Sequence, residues 1–229
     1  MCRFLMFLVM LLSVNLYPDQ ELYIFYHCCT RGNWEKIIPE QLLKLKNSTL
    51  YSKVRKIYIG NLGEINVLKL YGGDPKMELL FYHKNCGLME KPTLKALRKM
   101  AQQKPDAYFL YFHSKGITTW EGSFPNIQDC RYFLEYFMIE KWEKCVEALN
   151  EGFDVVGVNY TNDPRDHFSG NFWWAKGSYL ASLPDLKKGY YESEFWLFRN
   201  KPRYKCLFKS GVHHYYQPFP KERYCEELL

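Results

Sequence analysis

The sequence predicts a single α/β domain whose central sheet is mostly parallel and flanked by helices. Three features predict it. Short apolar runs alternate with amphipathic stretches along the chain, which is how strands and helices succeed one another in α/β proteins. The run Ala107–Phe112 (AYFLYF) is apolar throughout, as suits a strand covered on both faces. Finally, 229 residues fill one ordinary domain, with or without a short leader, and leave little room for two.

The elements follow in order. Leu22–His27 (LYIFYH) reads as a buried strand. From Trp34 to Lys46, Ile37, Ile38, Leu42, Leu43 and Leu45 recur at helical spacing between polar residues. Lys56–Gly60 (KIYIG) and Asn66–Leu70 (NVLKL) read as two further strands, separated by a turn at Asn61–Leu62–Gly63. Pro92–Gln103 reads as a helix, with proline near its start and Leu94, Leu97 and Met100 along one face. Ile127–Leu149 reads as one long amphipathic helix, and Asp154–Val158 (DVVGV) as another central strand. After Asn159 the pattern becomes irregular and rich in Gly, Trp and His. Loops beyond the carboxyl ends of strands are where open α/β sheets usually carry their chemistry.

Composition narrows the function classes. Hydrophobic residues at 47% and charged residues at 24% argue against disorder over most of the length. The net charge of +6 is spread without a Lys/Arg block, which argues against a nucleic-acid partner. A mildly basic surface suits an anionic substrate. The aromatic share of 18% is high; most of it builds a core of large side chains, and the rest can serve as platforms for the C–H faces of sugars. The eight cysteines (Cys2, Cys28, Cys29, Cys86, Cys130, Cys145, Cys206, Cys225) contain no C-x₂-C pair, so they read mainly as buried thiols rather than a zinc site, with a disulfide as the alternative that depends on the compartment.

Arg3 and the apolar run Phe4–Leu12 match the charged start and hydrophobic region of a signal peptide, and the run is shorter than the roughly 20 residues that span a bilayer. Residues 1–17 therefore read as a signal peptide or short anchor that gives membrane association and a secretory location, or as a packed segment of a cytoplasmic chain. The sequons at Asn47 and Asn159 are usable only on the secretory route.

Three segments carry groups suited to chemistry. In Tyr111–Phe112–His113–Ser114–Lys115–Gly116 a donor-rich loop leaves a buried strand. His113, Ser114, Lys115 and backbone amides could converge there on a diphosphate, with Gly116 permitting close approach; an ordinary turn would read the same way. The second segment runs from His167 to Trp174. His167, Ser169 and Asn171 offer hydrogen bonds to hydroxyls, and Trp173 or Trp174 a stacking platform, although indoles packing loop to sheet account for at least one of them. The third is Tyr191–Glu192–Ser193–Glu194–Phe195–Trp196, carboxylates among aromatics. Apolar surroundings raise a carboxyl pKa and help a general base near neutrality, whereas a salt-bridged helix start has the same spacing. The pair His213–His214 reads as a surface feature.

At these residues the chain resembles small GT-A-fold glycosyltransferase-like proteins of bacteria and large DNA viruses, members of the nucleotide-diphospho-sugar transferase superfamily. The matching stretches are YHCCTRGNWEKIIPEQLLKL, IYIGNLG, KPTLKAL, YFLYFHSKG, DVVGVNY, HFSGNFWWAKGSYLASLP and ESEFWL, from Tyr26 to Phe198, about three quarters of the chain. HFSGNFWW and YFHSKG are the specific ones. The resemblance implies a GT-A-like, Rossmann-like catalytic domain over residues 18–229, with a nucleotide-binding half at 20–115 and an acceptor-binding half at 116–229. It implies transfer of a hexosyl or pentosyl group from a nucleoside diphosphate sugar to a hydroxyl of a glycan or glycoprotein. Tyr26 and His27 would lie near the base, His113, Ser114, Lys115 and Gly116 would face the diphosphate, and His167, Ser169, Gly170, Asn171, Trp173 and Trp174 would line the sugar and acceptor cleft. Glu194, with Glu192 behind it, would be the base.

The chain departs from that family at one point. GT-A enzymes usually hold Mn²⁺ or Mg²⁺ on an Asp-x-Asp motif after the strand that here ends at Phe112, and this chain has His113–Ser114–Lys115 there and no Asp-x-Asp anywhere. Hard divalent cations want carboxylate oxygens. Either other residues hold the ion, or Lys115 and His113 neutralise the diphosphate directly; the second is the expectation adopted, with no metal ligand assigned. The same departure supports a rival reading, a non-catalytic sugar- or nucleotide-binding module on the same fold.

Overall fold

The computed structural model describes residues 20–71 and 73–225, so the leader expected at 1–17 lies outside the described residues. In chain order the elements are β1 (Leu22–Thr30), α1 (Trp34–Asn47), α2 (Thr49–Lys53), β2 (Val54–Gly63), α3 (Val67–Tyr71), β3 (Met77–His83), α4 (Lys91–Gln103), β4 (Tyr108–His113), α5 (Phe124–Glu135), α6 (Trp142–Asn150), β5 (Val155–Gly157), β6 (Tyr160–Thr161), β7 (His167–Phe168), β8 (Trp173–Lys176), α7 (Gly177–Ser182), α8 (Glu192–Phe195) and β9 (Tyr204–Cys206). Among the described residues no helix is long and apolar enough to cross a membrane.

Seven strands form one sheet in the order β3-β2-β1-β4-β8-β5-β9, and β6 pairs with β7 beside it. Every neighbouring pair in the large sheet is parallel except the two made by β8. The α/β architecture with a mostly parallel sheet is thus as the sequence predicts. Side-chain alternation along each strand feeds two cores. Tyr26, Cys28, Leu110, Phe112 and Trp174 enter the larger one, and Phe25, Phe109, Tyr111 and Trp173 the other.

Four elements differ from the sequence expectation. Asn66–Leu70 is mostly helical rather than a strand, because Asn61 Oδ1 accepts from Val67 N at 2.7 Å and Asn66 Oδ1 from Leu68 N at 3.1 Å, which starts α3. The turn expected at 61–63 is instead the end of β2, in register with Cys28–Thr30. The stretch expected as one helix over 127–149 begins earlier, at Phe124, and is interrupted by a π turn at Tyr136–Glu140. Trp173 and Trp174 lie within β8, a strand that the irregular composition of its surroundings hid.

A polar network crosses the larger core. Tyr26 OH donates to Gln41 Oε1 at 2.8 Å, and Gln41 Nε2 donates to Glu135 Oε1 at 2.9 Å. Arg131 bridges Glu135 at 3.3 Å and Glu40 at 3.2 Å, and Lys44 reaches Glu135 at 3.0 Å. Arg131 and Glu135 are both buried, so this pair is held by complementary charge rather than by solvent.

Candidate functional site

In the order β3-β2-β1-β4 the chain first moves outward from β1 and then returns to its other side, so the order of strand addition reverses between the parallel neighbours β1 and β4. Such switch points leave a crevice at the carboxyl ends of the strands. Here it is a cleft of about 540 Å³. Its floor is His27, Cys29, His113 and Ser114 from β1, β4 and the residue that follows; its walls come from the loops after β1, β3 and β4 and from α8.

Two of those loops are fastened together. Asn33 N donates to the Ile117 carbonyl at 2.8 Å, and Asn33 Nδ2 to the Thr119 carbonyl at 3.3 Å. Gly32 makes this approach feasible: its φ is +58°, and a Cβ there would sit 2.0 Å from the Ile117 oxygen.

Glu90, just ahead of α4, links the halves of the cleft. Its Oε2 accepts from Tyr111 OH at 2.9 Å and from Asn171 Nδ2 at 2.5 Å, and its Oε1 lies 3.8 Å from His113 Nε2. Asn171 Oδ1 in turn accepts from Trp173 Nε1 at 2.8 Å. His113 Nε2 lies 3.1 Å from the Gly170 carbonyl; a carbonyl only accepts, so Nε2 carries the proton. Burial, then the neighbouring Lys115 ammonium, pushes the His113 pKa down to about 4. His27 is also pushed down to about 4 by burial, and its Nδ1 lies 2.8 Å from Thr93 Oγ1.

Lys115 behaves differently. Burial works against its charge, but Cys130, Tyr215, Glu194 and Glu90 outweigh it and leave its pKa above the usual value. Among the described residues its ammonium makes no hydrogen bond or close ion pair, and the same holds for the side chains of Arg31 and Glu194 in the same cleft. A second hollow of about 450 Å³ adjoins, sharing Lys115, Ile127 and Tyr215 with the cleft. Asn159, Ser210 and His214 form part of its wall, with Asn159 Nδ2 2.9 Å and Ser210 Oγ 3.0 Å from His214 Nε2.

The sequence-derived site residues are therefore only partly gathered. His27, His113, Ser114, Lys115, Gly116 and Glu194 line the cleft, and Ser169 lines the second hollow. Gly170 and Asn171 sit behind the cleft, holding His113 and Glu90. Five expectations need correction. Tyr26 is fully buried and stacked on Phe112 at 4.5 Å, on the sheet face opposite His27, so it is not at the cleft. Trp173 and Trp174 are buried on opposite faces of β8 and present no platform. His167 is buried against Phe195, its Nδ1 2.7 Å from the Arg165 carbonyl. Glu192 bonds Arg165 and Arg199, whose hydrogen bonds and charge hold its pKa low despite partial burial, so it is a structural anion. His113 is neutral near pH 7, and the amides of Ser114 and Lys115 already donate to the carbonyls of His27 and His113.

The sequence reading missed Arg31, Glu90, Tyr190 and Tyr215. The two tyrosines, 69% and 52% exposed, are the accessible rings of the cleft. Glu90, a carboxylate at a helix start, was the one of the four with a readable signal. The sequon at Asn159 is buried and engaged with His214 and Ser210.

Among the described residues no three His, Cys, Asp or Glu side chains gather as a metal site. The groups around the end of β4 do not fit a hard divalent cation. Lys115 places an ammonium there, His113 Nε2–H is committed to Gly170, and Glu90 Oε2 already accepts two donors.

Residues 23–217 match the family described as "Domain of unknown function (DUF8361)". The chain belongs to that family. No curated protein matches it. Among solved structures, it is similar to TarS (1–349) of S. aureus, 13% identical over 83% of this chain and 60% of that one, with a TM-score of 0.45. A cytidylyltransferase of Leptospira borgpetersenii is 13% identical over 89% and 77%, at 0.46. A 4-diphosphocytidyl-2C-methyl-D-erythritol synthase of Anaerococcus prevotii is 13% identical over 90% and 95%, at 0.42.

Proposed function

We propose that the protein transfers a glycosyl group from a nucleoside diphosphate sugar to a hydroxyl of a glycan or glycoprotein. The observation that carries this reading is a free ammonium, Lys115, and a free carboxylate, Glu194, lining one cleft at the switch point of the sheet. Glu194 takes the proton of the acceptor hydroxyl as its oxygen attacks the anomeric carbon. The bond from that carbon to the diphosphate breaks, and Lys115, with Arg31 at the mouth, stabilises the charge left on the diphosphate. Tyr190 and Tyr215 replace the buried indoles as surfaces for a base or sugar ring. The acceptor occupies the adjoining hollow, which Lys115 and Ser169 also line.

Thermal-shift screening against UDP-, GDP- and dTDP-sugars, with and without Mn²⁺, tests the donor. A ligand at 100 times its Kd adds about 2.7 kcal/mol of stability. With the donor found, Glu194→Gln is expected to keep its binding and lose about 10²–10⁴-fold in transfer rate. Transfer is expected to survive a chelator, because Lys115 supplies the positive charge; activity lost to chelation and restored by Mn²⁺ would refute that assignment. Binding of the donor without any transfer would mark a binding module instead.

A further inference from the structure

Cys28 and Cys29 are adjacent in β1, and strand alternation sends them to opposite faces. Cys28 packs in the larger core; Cys29 lines the cleft. Across the cleft wall stands Cys86, in the single 3₁₀ turn Cys86–Leu88 between β3 and α4. Both thiols are free, and their sulfurs are 3.0 Å apart. A disulfide bond is about 2.05 Å long, so closing one requires the sulfurs to approach by only about 1 Å. Cys86 is half-exposed and Cys29 buried, the arrangement of an accessible attacking thiol backed by a resolving one.

We propose that Cys29 and Cys86 form a reversible disulfide that fastens this wall of the cleft under oxidising conditions. The oxidant is a low-molecular-weight disulfide such as oxidised glutathione. The Cys86 thiolate attacks one of its sulfurs, the small disulfide bond breaks, and one glutathione leaves as thiolate and takes up a proton. Cys29 then loses its proton to solvent and attacks the Cys86 sulfur, expelling the second glutathione. Two protein thiols are oxidised by two electrons, and one small disulfide is reduced to two thiols. Burial, then the hydrogen bond to Cys86, pushes the Cys29 thiol up to about 12, which suits it to the second step rather than the first. The bridge ties the turn that precedes Glu90 to β1. Because Glu90 holds Asn171 and lies beside His113, oxidation fixes the segment from which the cleft's polar network is organised.

The test uses the full chain and does not depend on the proposed transfer activity. The protein is incubated with oxidised glutathione, quenched with N-ethylmaleimide, and mapped as peptides without reduction. The expected result is a cross-linked pair containing Cys29 and Cys86, lighter by two hydrogens, with two alkylatable thiols lost and both recovered on adding dithiothreitol. Cys29→Ser is expected to stop at a glutathione adduct on Cys86. In parallel, amide hydrogen exchange over residues 84–90 is expected to slow on oxidation. The proposal is overturned if Cys86 in the unaltered chain ends alkylated or glutathionylated, if Cys29 pairs elsewhere, or if exchange over 84–90 is unchanged. The unaltered chain alone gives these outcomes, so a poorly folding variant does not remove the test.

Discussion

Replacing Lys115 with methionine keeps the length and apolar stem of the side chain and removes its charge. In the native protein this ammonium is held charged yet has no anionic partner in contact, so the proposed reading assigns it to the diphosphate of the ligand. A hydrogen bond to a charged group contributes about 1.5–3 kcal/mol, and each 1.36 kcal/mol is a factor of ten. Lys115→Met should therefore weaken a nucleoside diphosphate by about 10- to 150-fold. The corresponding nucleoside, which lacks the phosphates, should bind unchanged. Isothermal titration of both ligands at two salt concentrations reads this directly, and the salt dependence of diphosphate binding should shrink in the variant. Equal weakening of nucleoside and diphosphate would show that Lys115 shapes the cleft rather than meeting the phosphates, and undiminished diphosphate binding would remove it from the site altogether.

Three further outcomes bear on the scaffold. Arg131→Met leaves Glu135 buried with Lys44 and Gln41 as its remaining partners. It should cost about 3–5 kcal/mol, a Tm loss of roughly 10 °C, while adding Glu135→Leu should recover much of it; a double variant no more stable than the single one would refute the ion-pair account. Gly32→Ala must adopt a positive φ and meets the Ile117 carbonyl, so urea unfolding should report a loss of at least about 1–3 kcal/mol. His27, His113 and His214 are held neutral, each pushed from 6.5 to about 4 mainly by burial. The folded state thus binds fewer protons than the unfolded one between those values, so their contribution is complete above about pH 6.5 and is lost as pH falls to about 4. Each adds up to about 1.36 kcal/mol per pH unit of slope in that window, and denaturation of His27→Gln at pH 4.5 and 6.5 should show the slope reduced by one such increment.

The parts of the fold legible in sequence are those where one periodicity dominates. β1, β4 and β5 are near-continuous apolar runs, and α1 and α4 carry clear apolar faces. β3 was illegible because MELLFYH is only partly buried at the sheet edge. α3 was misread because its start is set by the side chain of Asn61, six residues before the helix, not by any pattern inside it. At the site, HSKG was legible because polar residues directly follow a buried strand. Tyr190 and Tyr215 were not, since they arrive from loops far apart in sequence, and Glu90 showed only as a carboxylate at a helix start. The two indoles were conspicuous for the opposite reason: rarity marked them, but alternation along β8 buries both.

β8 runs against its neighbours, so it is the start of this strand, not its end, that meets the carboxyl ends of β4 and β5. Gly170 and Asn171 are delivered to His113 and Glu90 by the chain entering β8, and the strand acts as a ruler for them. Its register is set from both sides at once, with Trp173 seated in one core and Trp174 in the other. Sliding β8 by one residue would move the entering peptide by about 3.3 Å and exchange the faces of the two indoles. Packing of two large rings deep in the sheet is thereby converted into tolerance at the cleft: a single-residue insertion in β8 disconnects Glu90 from Asn171 without altering any residue that lines the cavity.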